Sequence, residues 1–240
     1  MEVQYVQGEL FPDLYSIKKN QEEDSNDEDF SCKPMVRDPF KEEWCRYLSF
    51  TSTYQHPIVK GTKERMPYNI MGYHRCVSTE RVNICPHFYA PDCLIYRIWS
   101  RPNVNLQLLK QHPCTLGPDF SVHNDMPRPM KESNIYLNKL ISAWWQYNGI
   151  KVYPNVVWTS GVSYDMCFDG LPKHSVVAVN STGIGKDARA RYIWQEGYER
   201  MLYMLQPEHI IRYGAKQECE RTDISTYFLN DNKRSARHGW

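Results

Sequence analysis

From about residue 92 onward, short apolar runs alternate with stripes of helical period. CLIYRIW (93–99) is rich in β-formers and predicts a strand; Pro102 then opens a helix with apolar Val104, Leu108 and Leu109. CTLGPDF (114–120) predicts a second strand, ended early by Gly117 and Pro118. After a cap at Ser133, Leu137, Leu140, Ile141, Trp144 and Trp145 recur at helical spacing until Asn148-Gly149 stops them. The alternation continues with a strand over 150–158 (IKVYPNVVW), a short helix over 163–170 and a buried strand over 174–180 (HSVVAVN). A helix over 188–205, capped by Asp187 and ended by Pro207, and a strand over 209–214 complete it, and STYFLN (225–230) could add a last strand.

Five strands alternating with four helices predict an α/β fold: a mainly parallel sheet with alternating helices, as an open sheet or a partial or complete βα barrel. The unbroken apolar run VVAV indicates burial on both faces. Residues 36–90 show no legible period, and Pro67, Pro86 and Pro91 interrupt them. Segment 20–30, NQEEDSNDEDF, carries six acids and no base; it reads as a solvated arm, with mimicry of nucleic acid as the functional alternative. The expected organisation is an irregular acidic N-terminal extension (1–35), one α/β domain (36–230) and a basic polar tail (231–240).

Composition narrows the function classes. The 240 residues carry a net charge of +1, which removes the whole-chain argument for nucleic acid or an anionic membrane. No apolar stretch approaches the ~20 residues needed to span a bilayer, and no signal peptide is read at the N-terminus. The eight cysteines include no CxxC pair, and Cys93, Cys114 and Cys167 fall in apolar segments where a small thiol packs well. A cytoplasmic protein is expected. Seven Trp and seventeen Tyr favour deep packing, stacking surfaces or both.

In parallel α/β folds, ligands bind beyond the carboxyl ends of the strands. That rule selects Asp119, Ser121, His123 and Asp125 after the second strand, and Trp158 after the third. It also selects Asn180, Ser181, Thr182, Gly183 and Lys186 after the fourth, and Tyr213 after the fifth. Asp119, His123 and Asp125 are candidates for acid–base work or for holding a divalent cation; alternatively, they satisfy loop backbone. STGIGKD (181–187) could cradle an anion at a helix N-terminus, although Asp187 would compete and the motif is not a phosphate loop. Trp158 could stack on a flat group or fill the core. His74, Cys76, Cys85 and His87 match no trusted zinc spacing, so no metal site is assigned.

Several short motifs occur in fixed order: PDFS (118–121), AWWQYNGI (143–150), Pro154 with Trp158, FDGLPKHSVVAVNSTG (168–183), GY (197–198) and YG (213–214). In these the chain resembles the uncharacterised family called domain of unknown function 4417, over roughly residues 90–215. The resemblance implies a protein of phages, prophages or other mobile elements, acting in a bacterial host cytoplasm. It carries no established activity.

Together these readings lead to an expected small phosphate-bearing ligand, a nucleotide above all, with hydrolytic or transfer chemistry left open. Two rival expectations stand beside it. One is a nucleic-acid-binding accessory protein using the basic tail residues Lys233, Arg234 and Arg237; the other is a non-catalytic inhibitor of a host protein.

Overall fold

The structure, a computed structural model, describes residues 41–66, 69–78, 83–185 and 187–229. The acidic extension, the basic tail and Lys186 lie outside the described residues. The elements run α1 (Glu42–Cys45), β1 (Asn69–Gly72), a 3-10 turn (Tyr73–Ser78), β2 (Ile84–His87), α2 (Asp92–Ser100), α3 (Pro102–Leu109) and β3 (Thr115–Leu116). They continue with α4 (Arg128–Tyr147), β4 (Val152–Tyr153), α5 (Tyr164–Phe168), β5 (Val176–Asn180), α6 (Ala188–Leu205), β6 (His209–Tyr213) and β7 (Ser225–Leu229).

The fold is mixed α/β, and every pairing between these strands is parallel. Among the described residues the strands form three small sheets, β1-β2, β3-β4 and β5-β6-β7, and no closed barrel. Local contacts connect one sheet to the next. Thr115 Oγ1 donates to the Pro86 carbonyl at 3.1 Å, linking β3 to β2. Beyond Pro154 the chain leaves β3 and pairs with β5: Ala178 N–H donates to the Pro154 carbonyl and Val156 N–H to the Ala178 carbonyl. β5 then distributes its side chains between two apolar clusters. Val177 and Val179 pack with α6, while Val176 and Ala178 meet Ile70, Cys85, Leu116, Tyr153 and Ile211 from five other strands. Alternate side chains point to opposite faces, so burial on both faces produces the continuous apolar run.

Three expectations change. CLIYRIW is helical, not extended: Ile95 and Ile98 are buried while Tyr96 and Arg97 face solvent, which is helical spacing. A short apolar run does not distinguish strand from helix by composition. Consequently Cys93 is exposed, whereas Cys114 and Cys167 are buried. The expected strands 114–120 and 150–158 shrink to two residues each, because Pro118 and Pro154 cannot donate to a ladder. The helix expected from Ser133 begins at Arg128 after Pro127, with Pro129 in its first turn, where a missing N–H costs nothing. Conversely, β1 and β2 lie in the stretch without legible period. The helix over 188–205 has its expected bounds, and Asp187 accepts from Arg189 N–H at 2.8 Å.

Candidate functional site

A cavity of about 540 Å³ lies beyond the carboxyl ends of β2, β3, β4 and β5, against the first turns of α6. Asp119, half-buried, forms part of its floor. Asn155 Nδ2 donates to Asp119 Oδ1 at 2.8 Å and Asn180 Nδ2 to Oδ2 at 2.9 Å. Both asparagines are fixed in turn. Tyr89 OH donates to Asn155 Oδ1 at 3.0 Å, and Thr182 N–H and Oγ1 donate to Asn180 Oδ1 at 2.9 and 2.6 Å. Desolvation by burial raises the Asp119 pKa, and nearby Asp92 adds to it; the two amide hydrogen bonds and His87 oppose the rise. Asp119 forms no ion pair among the described residues.

The loop that carries Asp119 has no strand partner over 118–124, so its backbone groups need side-chain partners. Helix α4 supplies most of them from a row of buried polar residues set among the buried apolar Ile135, Ile141 and Trp145. Asn138 accepts from Phe120 N–H at 2.8 Å and donates to its carbonyl at 3.3 Å. Asn134 donates to the Ser121 carbonyl at 2.6 Å, and Lys131 Nζ donates to the carbonyls of Asn124 and Ser160. Asp92, at the start of α2, accepts from both N–H and Oγ of Ser121. The polar wall of the cavity is thus held from two helices and the ends of several strands.

The apolar wall is aromatic. Trp158 and Trp194 approach at 5.7 Å between ring centroids, and Trp194 stacks on Tyr198. Trp194 Nε1 donates to the Asn180 carbonyl at 3.2 Å. A Cβ at Gly197 would overlap the pyrrole edge of Trp158, so glycine in mid-helix is what lets that indole lie against α6. Tyr89 completes the wall and stacks at 4.6 Å on Tyr213.

The sequence-selected residues separate accordingly. Asp119, Ser121, His123, Trp158, Asn180, Thr182 and Gly183 line the cavity; of these seven, His123, Thr182 and Gly183 are exposed. Asp125 is exposed and is not among the lining residues. Ser181 is buried and points its hydroxyl at the carbonyls of Tyr213 and Ala215, tying β5 to the end of β6. Tyr213 stands behind Tyr89. Asp187 and Asn180 already engage amides of the 182–190 segment, which reduces its capacity as an anion cradle. No three His, Cys, Asp or Glu side chains converge as a metal site among the described residues. Sequence reading missed Tyr89, Asp92, Asn155 and Trp194. Asn155 carried a signal, being the polar residue within an apolar run.

Parallel strands with a cavity beyond their carboxyl ends place the chain among mixed α/β proteins with a strand-end pocket. It belongs to the family described as Domain of unknown function (DUF4417), whose model matches residues 48–230. That span is wider than the 90–215 suggested by the short motifs. The Gene 1 protein of Mycobacterium phage D29 is 33% identical over 177 residues, covering 72% of this chain and 65% of that protein. The Gene 1 protein of Mycobacterium phage L5 is 33% identical over 138 residues, covering 58% of this chain and 60% of that protein. The chain therefore spans less than two thirds of either relative. No solved structure matches it. No helix among the described residues is long and apolar enough to cross a membrane.

Proposed function

We propose that this phage-family protein binds a small, flat, phosphate-bearing ligand of nucleotide type in the strand-end cavity. The observation that carries the reading is Asp119, fixed by two asparagine amides beside the Trp158–Trp194 wall. Aromatic faces favour a planar ring, and a fixed carboxylate selects a ligand edge that donates. Thr182, Gly183 and His123 form the exposed rim, where a solvated phosphate group can remain hydrated. A divalent cation, if required, would arrive with the phosphates, since Asp119 is the one carboxylate among the lining residues. Asp119 is also the first candidate for acid–base work should the ligand be processed, with His123 on the same cavity; binding is the part the geometry supports best.

Calorimetry of the full chain against a panel of nucleoside monophosphates and diphosphates tests this reading. Saturable binding to the wild type, weakened about tenfold or more by Asp119→Ala, is expected. The absence of saturable binding across the panel would overturn it.

A further inference from the structure

The ligand edge that meets Asp119 can be specified further, on the assumption that the cavity takes a nucleotide. The hydroxyls around Asp119 have already committed their single protons to the protein. Tyr89 donates to Asn155 and Thr182 to Asn180, while Ser121 donates to Asp92. Asn155 uses its amide group on Asp119 and on the Pro118 carbonyl. Trp194 donates to the Asn180 carbonyl, and the pyrrole edge of Trp158 is turned onto Gly197. What this part of the wall retains is mostly acceptor capacity, the second lone pairs of both Asp119 oxygens and the lone pairs of the hydroxyls, with the second amide hydrogen of Asn180 as a donor beside them. Asp119 forms no ion pair among the described residues; its hydrogen-bond partners are neutral amides, and His87 adds a weaker electrostatic pull.

We infer that the cavity selects a guanine-type base, whose adjacent ring N–H and exocyclic amino group would donate together to the Asp119 carboxylate. Other bases fit this wall less well. Adenine and cytosine each place a ring-nitrogen acceptor beside their amino group, which would face the carboxylate with a lone pair. Uracil offers one N–H flanked by two carbonyls. A paired donor edge satisfies both carboxylate oxygens, whereas an unmatched acceptor leaves them unpaired in a partly desolvated site. A purine lays its whole ring plane against the aromatic wall, which an alkylammonium group cannot.

The test uses edited ligands on the wild-type chain, so it does not depend on a variant folding. Binding of GMP, IMP, 1-methyl-GMP and AMP is measured by calorimetry or tryptophan quenching, then repeated with Asp119→Ala. GMP should bind at least about tenfold more tightly than the other three. Asp119→Ala should bring GMP to the level of IMP. Equal affinities, or a GMP preference that survives Asp119→Ala, would overturn the guanine assignment while leaving nucleotide binding in place. If no nucleotide binds, both fall together.

Discussion

Asp119 and Lys139 are ionisable side chains drawn into the same protein, and they are accommodated in opposite ways. Lys139 is sealed, 3% exposed, on helix α4. Its Nζ lies 2.8 Å from His56 Nδ1 and donates to the Met166 carbonyl at 2.9 Å. Asp169 lies 3.6 Å from His56 Nδ1 and accepts from Thr51. Burial brings Lys139 down to about 7, against the pull of Cys167 and Asp169. Burial, with Lys139 adding, takes His56 to about 4. This cluster ties the 51–56 segment to α4 and α5. Asp119, by contrast, is held by neutral amides, forms no ion pair among the described residues and borders a cavity. A charge used to join elements is closed in by its partners; one beside a void retains capacity for something that arrives later.

Four measurements would break or sharpen that contrast. Lys139→Ala should have the largest effect, a loss of about 3 kcal/mol of stability in urea titration, because it removes the centre of a sealed cluster. A cost near zero would show that the cluster joins nothing. Asn138→Ala should lose about 2 kcal/mol, since both Phe120 backbone groups become unpaired, and it should also weaken ligand binding by loosening the Asp119 loop. Intact binding in that variant would separate the loop from the site.

The third measurement is pH dependence. Lys139 titrates near 7 when folded and near its ordinary value of 10.5 when unfolded. Between those values the unfolded chain holds the proton and the folded chain does not, so stability rises with pH. About 1.6 kcal/mol should be gained from pH 7 to 8.5, and Lys139→Met should flatten that slope. His56 acts with the same sign lower down, removing stability as pH falls from its ordinary 6.5 through 4. A wild-type profile that falls over pH 7 to 8.5 would contradict the sealed lysine. Smallest is Asp119→Ala, at about 1 kcal/mol or less, because water from the cavity can satisfy the amides of Asn155 and Asn180. Destabilisation comparable to Lys139→Ala would mean that Asp119 also serves chiefly to hold the fold.

Much of the second half of the chain was legible because its signals are local. Asp187 before a long amphipathic run, Pro207 after it and the unbroken VVAV fix a helix and a buried strand without knowledge of their neighbours. The first half was less so. β1 and β2 are short and contain Pro86, and their strand identity depends on pairing with each other and on β3 beside them. CLIYRIW misled because β-branched content is shared by buried strands and short amphipathic helices. At the candidate site, the strand-end rule located the loop and Asp119, since it needs only the order of elements.

What the rule could not supply is which side chains turn inward. Ser181, next to Asn180, is taken by the carbonyls at the end of β6, and Asp125 is left in solvent. Asp92, Asn134 and Asn138 reach the Asp119 loop from helices distant in sequence or hidden behind an apolar stripe. The sequence by itself determined helix α6, the buried strand β5 and the end at which polar residues gather, because periodicity and caps act within a few residues. Only the tertiary structure decided that Asp119 is gripped by Asn155 and Asn180 beside two tryptophans. Hydrogen bonds across dozens of residues depend on the packing that brings their partners together.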